Sequence, residues 1–181
     1  MKLAVFIERD GVLNQVKVDR QHQVSPQTLE EFKVNPEAVT LLKKLKAAGL
    51  MLIATTNQPG ISRGYLSRRE LDRMHDTLRR AAGLDDIMIC PHDEPDRCSC
   101  RKPKPGMLIE AGYKWHLDLS RCFVISDKWQ DAEAAWAVGS TSLLLQSQWI
   151  KSVHHDFLLP NLPTVVDKIL QLHTLNRVVA A

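Results

Sequence analysis

The chain has 181 residues, 44% of them hydrophobic and 25% charged, with a formal net charge of +3. That fits one globular domain over residues 1–181 with a sizeable core and leaves little room for a second. The basic residues are spread along the chain, which argues for small anionic partners and against a nucleic-acid coat.

No apolar stretch approaches the ~18 residues of a membrane span, and Leu3 to Ile7 is too short for a signal-peptide core. The expectation is therefore a cytoplasmic protein with no membrane partner. Lys2 to Ile7 suits a short strand buried on both faces. It stops at Glu8 and Asp10, followed by Gly11, and ligands in open α/β sheets bind at the carboxyl ends of strands. Residues 15 to 34 read as a polar loop, with a short helix opening at Ser25-Pro26 and carrying Leu29 and Phe32.

A firmer helix starts at the cap Asn35 with Pro36 at its first position, buries Ala38, Leu41, Leu42 and Leu45, and stops at Gly49. Leu50 to Ala54 is a second strand, and Thr55 to Gly60 is a loop by composition. Ser67 and Glu70 form a capping-box pattern for a helix carrying Leu71, Met74 and Leu78. Ile87 to Ile89 is a third strand. Beyond the cysteine-rich segment, Pro105 opens a helix through Met107, Leu108 and Ala111. Cys122 to Ile125 is a fourth strand, its lone cysteine a small core residue. That strand delivers Ser126, Asp127 and Lys128, with Asp131 starting a helix that ends at Gly139. Leu143 to Leu145 is a fifth strand. A loop around Pro160 and Pro163, a short strand near Val165 and a helix through Ile169 and Leu170 complete the chain. The alternation predicts a mostly parallel, Rossmann-like sheet with helices on both faces and right-handed crossovers.

Cys90-Pro91-His92, five residues, then Cys98-Ser99-Cys100 supply three thiols and one imidazole, the ligand set of a closed tetrahedral zinc site. A nucleic-acid finger is the rival, since Arg101-Lys102-Pro103-Lys104-Pro105 follows directly. Such fingers carry a recognition helix between their ligand pairs, and five residues cannot provide one. A structural zinc is the expectation.

Carboxylates at the ends of strands one and four, a hydroxyl and amide loop after strand two and a lysine after strand three would face one crevice. Carboxyl-type oxygens plus waters suit magnesium, while a threonine, backbone amides and a lysine suit a phosphate. Asp127 has a plainer alternative as the cap of the following helix.

In these motifs the chain resembles the haloacid dehalogenase superfamily of phosphatases, within it the capless, zinc-loop subgroup that acts on heptose bisphosphates and histidinol phosphate. The matching segments are Glu8 to Asn14, Thr56-Asn57-Gln58 with Gly60 to Gly64, Arg101-Lys102-Pro103, and Ser126-Asp127-Lys128 with Asp131. The resemblance implies a magnesium-dependent phosphatase of small phosphorylated sugars, expected as a monomer. It implies catalytic Glu8, Asp10, Thr56 and Lys102, substrate contacts from Asn57, Arg101 and Lys128, magnesium on Glu8, Asp10 and Asp127, and zinc on Cys90, His92, Cys98 and Cys100. It further implies that Arg101 and Lys128 flank one crevice and grip a second phosphate, and that Asp131 orients Lys128 or a metal-bound water. The family carries aspartate where this chain has Glu8, and glycine where it has Ser126. Glutamate keeps the charge but moves the oxygens by about an ångström, a displacement that can cost roughly 100-fold in rate. A weakly active phosphate-binding protein of the same fold is the alternative.

Overall fold

A computed structural model describes residues 1–20 and 22–179. Within them the elements run β1 (Ala4–Glu8), β2 (Lys17–Asp19), β3 (His22–Val24), α1 (Pro36–Ala47), β4 (Met51–Asn57), α2 (Arg68–Ala82), β5 (Asp86–Cys90), α3 (Gly106–Trp115), β6 (Phe123–Ser126), α4 (Trp129–Ala137), β7 (Thr141–Leu145), β8 (Phe157–Leu159) and α5 (Leu162–Val179). The main sheet has the order β5-β4-β1-β6-β7-β8, and every pairing in it is parallel. β1 is buried along its whole length, as a central parallel strand must be when helices cover both faces.

Alternation along β1 divides the core. Val5 and Ile7 pack with apolar residues of α1, α2 and α5, such as Leu42, Leu71 and Val166. Ala4 and Phe6 pack on the other face with Met107, Leu108 and Ala111 of α3 and Ala134 and Ala135 of α4. The helices end as the sequence dictates. Asn35 accepts from the Glu37 amide at 3.1 Å, and Ser67 accepts from the Glu70 amide at 3.1 Å. Only half of the Ser67 and Glu70 capping box forms, because the Glu70 carboxylate accepts instead from the Leu29 amide at 2.6 Å.

Three local expectations are corrected. Residues 15 to 34 contain an antiparallel hairpin, β2 with β3, paired Lys17 to Val24, and no helix follows Ser25. Two three-residue strands are too short and too polar to leave a period in the sequence. β4 runs to Asn57, beyond Ala54, because β5 continues beside it and pairs Thr56 with Ile89 and Asn57 with Cys90. The last strand is Phe157–Leu159 beside β7, while Val165 lies in α5. Pro163 sits in the first turn of that helix, where its missing N–H has no intrahelical partner to lose, and Asn161 accepts from the Thr164 amide at 3.0 Å. No helix of the described residues is long and apolar enough to cross a membrane.

Candidate active site

The strand order reverses at β1, since the chain passes to β4 on one side and later to β6 on the other. Such a switch point opens a crevice at the carboxyl ends of the strands. Glu8 continues the Ala4 and Phe6 face of β1 and so meets the groups that precede α3 and begin α4. Lys102 Nζ contacts Glu8 Oε2, Asp131 Oδ1 at 2.7 Å and Thr55 Oγ1 at 3.3 Å. All three charged side chains are buried.

Burial alone would neutralise each of these groups, yet the charges offset it. Burial pushes the Glu8 carboxyl up, but the Lys102 and Lys128 ammoniums outweigh it and hold Glu8 below its usual range. Burial likewise favours neutral Lys102, and Asp131 and Glu8 reverse this and raise its pKa. Asp131 ends at about 6, raised by burial against the attraction of Lys102 and with Glu8 adding repulsion. Ser126 donates to Asp131 Oδ2 at 2.9 Å and accepts from the Lys128 amide at 3.0 Å. Its hydroxyl is therefore in use, beyond the small size that sequence alone suggested. Asp131 pairs with Lys102; of its two expected roles, orienting Lys128 or a metal-bound water, the contacts give it Lys102 in place of Lys128.

Lys128 Nζ donates to the Asp10 carbonyl and to Asp127 Oδ1 at 3.1 Å, and lies 3.8 Å from Glu8 Oε1. The three acceptors expected to hold magnesium thus converge on one cation. Their donor set is oxygen only, which suits a hard divalent ion. Gly11 makes the approach possible. Its φ is +98°, and a Cβ there would lie 2.5 Å from Asp127 Oδ2, so no other residue fits without displacing that carboxylate.

Arg9 turns to the opposite face, with the Val5 and Ile7 side chains, and is 0% exposed. Its Nη2 and Nε donate to Asp10 Oδ1 at 2.8 and 3.1 Å, and its Nη1 lies 3.0 Å from His75 Nε2. The guanidinium is 5.5 Å from the Phe32 ring centroid, at cation–π distance. Asp10 also accepts from Asn14 at 3.0 Å, Ser25 at 2.7 Å and Gln58 at 2.9 Å. Burial raises its carboxyl, but Arg9, Lys128 and these donors bring it down to about 2.

His75 sits near 3, lowered by burial and by the adjacent Arg9 charge. Its neutral Nε2 accepts from Arg9, which puts the proton on Nδ1, a buried atom without a partner. Because the folded pKa lies below the unfolded 6.5, the stability held by neutral His75 is full above pH 6.5 and is lost as pH falls toward 3. Asp131 acts in the opposite sense below pH 6, so the His75 contribution is read by difference. At pH 5 the unmodified chain should lose about 2 kcal/mol more, relative to pH 7, than His75→Gln. Urea titrations at the two pH values measure this, and equal losses would contradict the assignment.

The remaining expected residues are placed less simply. Thr56 Oγ1 accepts from Gln58 at 2.8 Å beside Asp10. Asn57 is taken up by the main chain of Lys102, donating to its carbonyl and accepting from its amide, both at 3.1 Å, and so fixes the lysine. Arg101 donates to the His92 carbonyl at 3.3 Å. It lines a cavity of about 280 Å3 with Asn57 and Lys102, whereas Lys128 lines a separate one of about 400 Å3. The two cavities adjoin, sharing Trp129 and Gln130 as wall. Sequence reading missed Gln23, Ser25 and His75. Gln23 donates to Asp127 Oδ2 at 2.5 Å, and like Ser25 it lies in the hairpin region that had no recognisable period.

The donor atoms of Cys90, His92, Cys98 and Cys100 lie within 4.8 Å of one another. Cys90 ends β5, and the loop folds back over it. Gly106 permits this, since a Cβ there would lie 2.4 Å from the Ser99 carbonyl oxygen. The cluster has the composition and proximity to hold a metal ion.

The family model of haloacid dehalogenase-like hydrolases matches residues 6–139. A D-glycero-beta-D-manno-heptose-1,7-bisphosphate 7-phosphatase of Pseudomonas aeruginosa is 36% identical over 148 residues, spanning 79% of this chain and 80% of that protein. The Helicobacter pylori protein of the same name is 34% identical over 173 residues, spanning 92% and 96%. Among solved structures, D,D-heptose 1.7-bisphosphate phosphatase from B. bronchiseptica, complexed with magnesium and phosphate, matches with a TM-score of 0.79 at 27% identity. The match covers 94% of this chain and 99% of that one. A switch-point crevice built on the ends of β1, β4 and β6, inside a chain so matched, settles the family: the chain belongs to the haloacid dehalogenase-like hydrolases, as a phosphatase closely related to the heptose 1,7-bisphosphate phosphatases.

Proposed function

We propose that the protein is a magnesium-dependent phosphoric monoester hydrolase acting on a heptose 1,7-bisphosphate. The observation that carries this is the convergence of Glu8, the Asp10 carbonyl and Asp127 on one cation position, beside a buried lysine, in a chain whose relatives bear that name. A bound magnesium ion would neutralise phosphoryl oxygens there, held by those three groups. Glu8 attacks phosphorus through a carboxylate oxygen. A bond from that oxygen to phosphorus forms as the ester P–O bond breaks, and the leaving oxygen takes its proton from Asp10. Water, deprotonated by Asp10, then cleaves the carboxyl-phosphate and restores Glu8. Lys102 and Thr56 hold the remaining phosphoryl oxygens, with Asn57 fixing Lys102. With a pKa near 2, Asp10 is ionised in the free protein. The negative charge of the ester beside it raises that pKa and lets it carry the proton of the first step.

The Cys90, His92, Cys98 and Cys100 cluster we assign to a structural zinc, on its three sulfurs and one nitrogen. Freshly purified protein should contain about one zinc per chain, and Cys98→Ser should lose both the metal and several kcal/mol of stability. Metal analysis without zinc would remove the assignment.

Initial rates on a panel of esters test the activity. Heptose 1,7-bisphosphate should be the best substrate and release one phosphate. A preference for histidinol phosphate would move the protein to that activity.

A further inference from the structure

We infer that His75 is a positioning residue for the proton steps of Asp10, acting through Arg9, an inference that rests on the hydrolase reading above. Arg9 meets the Asp10 carboxylate along one edge of its guanidinium. Its Nε and Nη2 lie 3.1 and 2.8 Å from Oδ1, and Nη2 lies 3.1 Å from Oδ2. A planar fork that grips a carboxylate along one edge fixes it only as firmly as the fork itself is fixed. The opposite corner, Nη1, is held by His75 Nε2 at 3.0 Å, its one acceptor among the described residues. His75 reaches it from α2, so the carboxylate at the end of β1 takes its orientation from a helix that does not touch the crevice.

That orientation decides which Asp10 oxygen handles the proton. Oδ1 accepts from N–H groups of Arg9 and Asn14. Oδ2 accepts from Arg9, from the Ser25 hydroxyl at 2.7 Å and from Gln58 at 2.9 Å. Among these donors the Ser25 hydroxyl alone turns from donating to accepting by rotating one O–H. Oδ2 is therefore the oxygen that takes up a proton without setting two hydrogens against each other, and a twist of the carboxylate would end that match. Core packing does not account for the histidine. Leu71, Met74 and Leu78 are buried on the same helix, while His75 is 1% exposed and its Nδ1 has no partner among the described residues. Satisfying Nη1 while leaving Nδ1–H unpaired exchanges one buried donor for another. What the histidine adds is the orientation of Arg9, a local conflict of the kind met where function requires a residue.

The test compares two substrates of the full chain with magnesium in one phosphate-release assay. The alcohol oxygen leaving heptose 1,7-bisphosphate must take a proton, whereas acetyl phosphate releases acetate, which needs none. The quantity compared is kcat/KM, which reports the steps up to departure of the leaving group and excludes the later attack of water. His75→Leu removes the acceptor. It should lower kcat/KM for the heptose ester at least about tenfold, part of the roughly 100- to 10,000-fold that a positioned acid contributes, and lower that for acetyl phosphate at most about threefold. His75→Gln, whose side-chain oxygen reaches the place of Nε2, should restore the ratio of the two. Partial unfolding lowers both rates alike and cancels in that ratio. His75→Asn, whose shorter side chain stops short of Arg9, is the second variant and should shift the ratio as leucine does. A ratio unchanged by both leucine and asparagine, or not restored by glutamine, overturns the positioning role and leaves the hydrolase reading standing. Phosphate release from neither ester, by the unmodified chain or by Glu8→Asp, overturns both.

Discussion

Glu8→Asp is expected to release phosphate from heptose 1,7-bisphosphate on the order of 100-fold faster than the unmodified chain. Both oxygens of Glu8 are engaged, Oε2 by Lys102 and Oε1 by the Asp10 amide at 3.0 Å. Its longer side chain is therefore held against the back of the crevice. Aspartate, the residue the family carries there, withdraws the carboxylate by one methylene. The other groups stay in place, because Asp10, Asp127 and Asp131 are each fixed by contacts that do not involve Glu8. Steady-state rates with saturating magnesium measure the gain. A rate unchanged by the substitution would show that glutamate is as competent as aspartate in this crevice.

Lys102→Ala should have the second large effect, and on two quantities. Lys102 is the buried cation between Glu8 and Asp131, so its loss leaves two carboxylates facing one another in the interior. Breaking a buried pair in this way costs about 3–5 kcal/mol, and urea unfolding should show a loss of that order. Activity should fall by roughly 100- to 1000-fold, the usual loss when one charge-stabilising donor is removed. Lys128→Ala should be milder on both counts, since the Lys128 side chain is 19% exposed and the Glu8 and Asp127 carboxylates keep donors in Lys102 and Gln23. Equal losses for the two lysines would contradict the separate places given to them.

Much of this was legible in the sequence. The strand-end carboxylates Glu8, Asp10 and Asp127, the capped helices at Asn35 and Ser67, and the Cys90 to Cys100 cluster each leave a local pattern, and each appears where the pattern put it. The hairpin did not show, because two three-residue strands, with four polar residues among the six, have no period to read. Gln23 and Ser25, which reach Asp127 and Asp10 from it, were therefore invisible too. His75 was hidden for a different reason. It lies on the apolar face of α2, where a histidine reads as core, and its partner Arg9 is distant in sequence and turned inward. The division between the Arg101 and Lys128 cavities depends on where Trp129 and Gln130 stand, since both line both spaces. Motif order carries no such information.

The most direct test of the central claim is phosphorus NMR of heptose 1,7-bisphosphate incubated with the chain and with Glu8→Asp, each with magnesium and with a chelator in its place. One phosphate signal, that of the 7-position, should convert to inorganic phosphate in the magnesium samples and persist in the chelated ones. If neither protein releases phosphate with magnesium present, or if release proceeds equally well under chelation, the crevice is not the magnesium-dependent phosphatase site described here.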